Sequence, residues 1–308
     1  MAAASSSTAL PTDEGKRQIP QPALTHNHLP PRDILGAWAR DLSSVASAFA
    51  TSGEVPHVVI DGFFDDAFAR ALADEFPEAD APLWHRYQNP LENKRACSDT
   101  ARIPLGLREA LFALCGPSLV ESVRQITGLE PSDDLQADPY CHGGGLHSHG
   151  RGGHLDLHLD YSLHPLSGLE RRFNLIVYLP RTPANAPWEA RYGGALELRG
   201  ADAADPTRPC GGEACAAVLP LFNRAVLFST TAPSFHGFPA PLTCPPEAER
   251  RSLALYYLTP PRVGAPRRSK ALYVATPGEP DSEELDRLRA LRAQRRLTNA
   301  DLAVGAAS

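Results

Sequence analysis

The stretch His154-Leu-Asp156-Leu-His158-Leu-Asp160-Tyr161 carries four metal-ligand side chains at alternate positions. On a strand, alternate side chains share a face, so this period predicts histidines and aspartates on one side and leucines on the other. A histidine and an aspartate two residues apart at a strand end can reach one ion. A third ligand from a distant strand would complete a two-histidine, one-carboxylate triad, which occupies one face of an octahedron and leaves three positions open. An oxygenase needs those positions: two for a bidentate co-substrate and one for dioxygen. On residue type alone two pairs compete, His154/Asp156 and His158/Asp160.

The best third ligand is His236, in Phe235-His236-Gly237 just past the apolar run that ends at Phe228-Ser229. Beyond it lies Arg250-Arg251-Ser252-Leu-Ala-Leu-Tyr256, where Arg250, Ser252, Ala254 and Tyr256 share a strand face. A guanidinium fork bonds both oxygens of a carboxylate in plane, which makes an arginine here the natural clamp for the far end of a small diacid. Alternation lets only one of Arg250 and Arg251 face inward, and the shared face with Ser252 favours Arg250. Tyr256 reads as a core aromatic.

These groups need a frame. Apolar residues recur at helical spacing from Ile34 to Ala50, Val55 to Ile60 reads as a strand, Phe63 to Phe76 as a second helix, and Leu107 to Thr127 as a long helix stopped by Gly128. After Asp133 the pattern changes to short runs between glycine, proline and asparagine: His154–Asp160, Phe173–Leu179, Ala195–Arg199, Ala216–Leu219, Arg224–Ser229 and Ser252–Thr259. Repeated strands with no helices between them favour a sandwich or barrel over a parallel α/β sheet. Four regions are therefore expected: a disordered tail over 1–31, a helical support over 32–132, the β core over 133–262, and an extension with a charged helix over 263–308.

The chain has 308 residues and a formal net charge of −6, so no global basic field recruits nucleic acid. No apolar run has the length of a membrane span, and the polar start carries no secretory h-region. The six cysteines form no C-x-x-C pair and read as reduced thiols, Cys210 and Cys215 among them in a glycine-rich loop. The expected compartment is the cytoplasm, with an organellar transit segment as the alternative.

The ordered set His-x-Asp, Asn174-Leu-Ile-Val-Tyr178-Leu179, Trp188, Gly193-Gly194-Ala-Leu196, His236 and Arg250-x-Ser252 resembles the prolyl 4-hydroxylase-like branch of the iron(II)/2-oxoglutarate-dependent dioxygenase superfamily. It spans roughly Gly143 to Thr259, with a less specific likeness from His57 through Glu92-Asn-Lys94. The resemblance implies a double-stranded β-helix (a cupin-like jelly roll, mainly β with helical additions) supported by N-terminal helices. It implies iron(II) on His158, Asp160 and His236, the His158/Asp160 pair being the one followed by Tyr161-Ser162 and correctly spaced from Tyr178. Arg250 then matches the partner of the distal carboxylate of 2-oxoglutarate, with Tyr178, Ser252 and Asn174 beside the same co-substrate. Dioxygen is the other co-substrate and ascorbate a supporting reductant. Pro180 departs from the pattern, since relatives often carry asparagine there, and that side-chain contact is lost.

The remaining candidates read more plainly. His154 and Asp156 become groups supporting the ligands, groups facing the substrate, or simply a polar inner wall. His142 to His154, rich in glycine and histidine, lacks the phosphate-loop pattern and is expected to be a flexible loop at the mouth, with His147 and Arg151 as solvated residues. His164-Pro165 suits a turn, and the basic helix Arg287–Arg296 a solvated face. The expected activity is C–H hydroxylation of a peptidyl proline or a small metabolite. The rival is a non-catalytic cupin-type module with a vestigial metal site. Halogenation is disfavoured because Asp160 would stand where a chloride must bind.

Overall fold

The computed structural model describes residues 34–231 and 233–303. The tail expected over 1–31 lies outside the described residues. The strands in chain order are β1 (His57–Asp61), β2 (His85–Asn89), β3 (Glu92–Cys97), β4 (Gln136–Ala137), β5 (Gly145–His149), β6 (His154–Leu159) and β7 (Glu170–Tyr178). They continue with β8 (Leu196–Arg199), β9 (Ala216–Val218), β10 (Arg224–Ser229), β11 (Phe235–Phe238), β12 (Arg250–Thr259) and β13 (Leu272–Tyr273). The pairing order is β1-β10-β7-β12-β5-β3-β6-β11-β8-β9, with β2 added to β3, β4 to β12 and β13 to β6. Every pairing is antiparallel, and the sheet curls into the expected jelly roll.

Among the described residues, four α-helices precede β5: α1 (Ser43–Thr51), α2 (Asp66–Asp74), α3 (Leu105–Leu114) and α4 (Pro117–Thr127). They explain why β7 and β12 are buried on both faces. Phe173, Leu175 and Val177 of β7, with Leu253, Leu255 and Tyr257 of β12, pack outward into one core with Val45 and Phe49 of α1, Leu111 of α3 and Val123 of α4. The alternate residues, Asn174 and Ile176 with Arg250, Ser252, Ala254 and Tyr256, line a cavity inside the roll. The period of two thus assigns one face to support and the other to the cavity.

The sequence reading needs four corrections. The helix expected from Ile34 breaks into a 3₁₀ turn, Ala37–Arg40, and then α1, because Asp41 is extended and its carboxylate accepts from Ser43 N at 2.9 Å. The single helix expected over Leu107–Thr127 is two, because Pro117 holds Gly116 extended; Gly128 does close the second, at φ 68°. The region expected to be helical support, with a strand expected only at Val55–Ile60 (observed as β1), also contributes β2 and β3 to the sheet. Finally, the supposed flexible loop contains β5, paired with both β3 and β12. Its glycines mark close approach rather than looseness: a Cβ on Gly145 would lie 2.2 Å from Cys97 O.

Two helices end the chain, α5 (Glu283–Arg292) and α6 (Asn299–Ala303). Ser282 caps α5 by accepting from Leu285 N, and Glu283, Glu284 and Asp286 fill its first turn. Leu288 packs with Leu91 and Tyr273, which docks α5 against the roll beside β13. Among the described residues, no helix is long and apolar enough to cross a membrane.

Candidate metal centre

His158 on β6 and His236 on β11 are cross-strand partners, and Asp160 follows directly at the end of β6. The candidate ligand atoms of the three lie within 4.8 Å of one another, and all three side chains are buried. His158 Nδ1 donates to Asp156 O at 2.9 Å, and His236 Nδ1 donates to Ser234 O at 2.9 Å. A carbonyl only accepts, so both protons sit on Nδ1 and both Nε2 lone pairs are left for a metal. The two rings stand 4.3 Å apart. Burial, then the neighbouring His236, pushes His158 down to about 3, so it is a neutral imidazole at physiological pH.

Asp160 lies 3.6 Å from His236 Nε2 through Oδ2, an oxygen that is buried and makes no hydrogen bond among the described residues. Its other oxygen accepts from Tyr256 OH at 3.2 Å and lies 3.5 Å from Arg171 Nη1. Burial opposes the charge, but His236, Arg171 and His158 outweigh it and hold the carboxyl below its usual range. Arg171 is sandwiched between the rings of Tyr161 and Tyr256, at 3.2 and 3.4 Å, and donates to His142 O and Tyr161 OH. A buried carboxylate oxygen with no partner, set beside two oriented imidazoles, is the donor set a divalent ion requires.

The other His-x-Asp pair points elsewhere. His158 faces His236 but Leu155 faces Phe238, so β6 carries an extra residue in a bulge and the strict alternation fails. Leu155 therefore lines the cavity, while Asp156 turns toward Arg289 of α5 at 3.8 Å and His154 contacts Pro90 O. The polar inner wall expected of these two residues is not formed. Gly237 permits the bulge, because a Cβ there would lie 2.6 Å from Leu155 O.

The cavity encloses about 420 Å³. Arg250 lies in its wall, only 3 % exposed. Its Nε donates to Gly194 O at 2.9 Å and its Nη2 to Tyr178 OH at 3.3 Å, with the rings of Phe238 and Tyr178 at 4.3 and 4.9 Å from the guanidinium carbon. No carboxylate among the described residues lies within 4.0 Å of it, whereas Arg251 turns to the opposite face and bonds Glu249 at 2.7 Å. Gly194, at φ 77°, is needed for this seat, since a Cβ would press on Leu242 and on Arg250 itself. Trp188 Nε1 donates to Gly193 O at 3.0 Å and pins the same turn.

Ser252 and Asn174 line the cavity, and Asn174 Oδ1 has no hydrogen-bond partner among the described residues. Tyr178, expected to touch a co-substrate directly, does not line it; it lies behind Arg250 and positions the guanidinium.

Several groups of the site escaped the sequence reading. Tyr256 was read as core but bonds Asp160, and its place on the Arg250–Ser252 face was the available signal. His147 and His149 of β5 line the cavity; burial depresses both, His147 to about 3. Arg292 and Arg296, assigned to a solvated helix face, also line it. Arg151 does not line the cavity; it donates to Thr243 O and Cys244 O. His164 caps its turn by accepting from Ser167 N at 3.1 Å.

Residues 144–258 match the family model of the 2OG-Fe(II) oxygenase superfamily. The chain carries a 2OG-Fe(II) oxygenase domain. The oxygenase is thus a 2-oxoglutarate-dependent dioxygenase whose cofactors are iron and 2-oxoglutarate. No curated protein sequence matches the chain. Among solved structures it is similar to a prolyl-4-hydroxylase from Pseudomonas putida, at 21 % identity and TM-score 0.47, covering 72 % of this chain and 100 % of that one. A prolyl hydroxylase from Trichoplax adhaerens, in complex with a hypoxia inducible factor peptide fragment, is similar at 15 % identity and TM-score 0.49, covering 72 % and 90 %. HygX from Streptomyces hygroscopicus, with nickel, 2-oxoglutarate and hygromycin B bound, is similar at 15 % identity and TM-score 0.46, covering 71 % and 87 %.

Proposed function

We propose that His158, Asp160 and His236 hold the iron, that Arg250 pairs with the distal carboxylate of 2-oxoglutarate, and that the enzyme hydroxylates an unactivated C–H bond of a peptidyl proline or a small metabolite. One observation carries this reading. A buried guanidinium without an acidic partner among the described residues shares a cavity with a buried, unpartnered aspartate oxygen flanked by two imidazoles. Buried charges are stable only when paired. The cavity therefore complements a ligand that is anionic at the arginine end and bridges toward a cation at the aspartate end, and 2-oxoglutarate has both features.

Bound iron supplies dioxygen activation, coupled to oxidative decarboxylation of 2-oxoglutarate to succinate and carbon dioxide. The chain's own groups orient and enclose. The Nδ1 bonds to Asp156 O and Ser234 O fix both imidazole planes, and Tyr256 and Arg171 fix the carboxylate. Gly194, Tyr178 and Phe238 hold the Arg250 fork before a ligand arrives, which lowers the ordering cost of binding. Ser252 supplies a hydroxyl donor and Asn174 a side-chain amide on the same wall, and Leu155, Ile176 and Leu196 are among its apolar members. A carboxylate at position 160 also disfavours halide chemistry.

The test is succinate formation from 2-oxoglutarate with iron(II) and ascorbate, in the wild type and in Asp160→Ala. The variant is expected to lose more than about 100-fold, beyond the loss typical of residues that only support a ligand. Anaerobic iron(II) with 2-oxoglutarate should also give a weak visible charge-transfer band in the wild type alone. A folded, iron-loaded wild type without that band would favour a non-catalytic cupin-type module.

A further inference from the structure

The outer cavity is basic in a chain that is acidic overall. Seven lysines and arginines line the cavity against two aspartates, although the net charge is −6. Arg171 and Arg250 belong to the inner site. Lys94 and Arg292 share one buried carboxylate, Glu92, at 3.0 and 2.8 Å. Arg102, Lys270 and Arg296 stand exposed at the rim, and none has a carboxylate within 4.0 Å among the described residues. The single acid of the rim among the described residues, Asp99, accepts from Ala101 N.

The rim cations come from three segments: the loop after β3, the approach to β13 and the turn after α5. A solvated helix face would leave its cations scattered over one element, whereas here the fold gathers them around one opening. Tyr87 lies between two of the cavity cations, with Lys94 at 5.1 Å and Arg296 at 5.6 Å from its ring, and so gives them a common floor.

We propose that the substrate is a small organic anion bearing a phosphate or carboxylate, seated by the collar of Arg102, Lys270 and Arg296 with its target carbon turned toward the metal centre. This deepens the proposed function and rests on that reading of the inner site. Two features argue for it. A cleft lined by one sign of charge concentrates oppositely charged ligands, and 2-oxoglutarate on Arg250 leaves the rim cations uncompensated. A cavity of about 420 Å³, shared with a five-carbon diacid, suits a small molecule rather than a polypeptide segment.

The experiment uses the full chain loaded with manganese(II) and 2-oxoglutarate, titrated calorimetrically with phenyl phosphate and benzoate and with their neutral counterparts, benzyl alcohol and benzamide. At least one anion is expected to bind about tenfold more tightly than its counterpart, less so as salt rises from about 50 to 200 mM. The phosphate and carboxylate arms identify the preferred group. Lys270→Glu/Arg296→Glu should weaken the anion about tenfold or more and 2-oxoglutarate much less, with Lys270→Gln/Arg296→Gln intermediate. Neutral probes binding as tightly as anions, or anion affinity surviving the double reversal, would overturn the collar while leaving the inner site standing. A wild type that fails to bind 2-oxoglutarate would overturn the inner site and this inference together.

Discussion

Replacing Arg250 by methionine keeps most of the stem and removes the cation. Breaking one side of a buried charge pair costs about 3–5 kcal/mol, so the Kd for 2-oxoglutarate should rise by roughly two to three and a half orders of magnitude. The free protein should respond differently. It loses the bonds to Gly194 O and Tyr178 OH, each worth about 1 kcal/mol. It also sheds the desolvation cost of a cation with no acidic partner among the described residues. These terms oppose, and the ligand-free variant should stay within about 2 kcal/mol of wild type.

Thermal unfolding of the manganese(II)-loaded protein, with and without 2-oxoglutarate at 100 times the wild-type Kd, reads both effects. Linkage stabilises the wild type by about 2.7 kcal/mol, a rise in Tm of roughly 4 °C for a chain of 308 residues. A variant with a 100-fold weaker Kd keeps only about 0.4 kcal/mol, roughly 1 °C. Equal stabilisation of both proteins would refute the assignment of Arg250. So would a ligand-free variant melting more than about 5 °C lower, which would mark the arginine as a structural element.

Three further outcomes follow from the same contacts. Tyr256→Phe removes the bond to Asp160 and should weaken metal binding or turnover by about 10- to 100-fold with little change in Tm, measured by metal titration and succinate release. Gly194→Ala forces a Cβ toward Leu242 and Arg250 at φ 77°, and should raise the KM for 2-oxoglutarate more than it lowers kcat, read from initial rates. His147 is depressed to about 3 by burial, so between about 3 and 6.5 the unfolded chain binds the extra proton and stability falls with falling pH. Relative to wild type, His147→Asn should remove about 1.4 kcal/mol per pH unit of that slope in urea unfolding; Asp156, raised to about 6 by burial, acts in the opposite sense above its ordinary value and is common to both proteins.

Local properties of the chain were enough to find the chemistry. Residue type and the period of two at His158, Asp160, Arg250 and Ser252 are readable without neighbours, because a strand's two faces are set by its own backbone. The same period separated Arg250 from Arg251, and the run of short strands between turn residues announced a sandwich or barrel, which the family resemblance narrowed to a jelly roll. What needed the folded molecule was every feature that depends on a partner strand or a distant segment.

The bulge in β6 is set by its pairing with β11, and it removes Asp156 from the face that strict alternation assigns it. Strand β5 was hidden because its glycines serve close contact with β3, which reads in isolation as a loop. Tyr256 and Arg171 converge on Asp160 only once β6, β7 and β12 are assembled. The charged C-terminal helix looked solvated because its own sequence cannot show that Leu288 docks it beside β13, which brings Arg292 and Arg296 to the cavity. Side-chain chemistry and strand period are short-range facts; register, close approach and the convergence of charge are long-range ones, decided when the sheet closes.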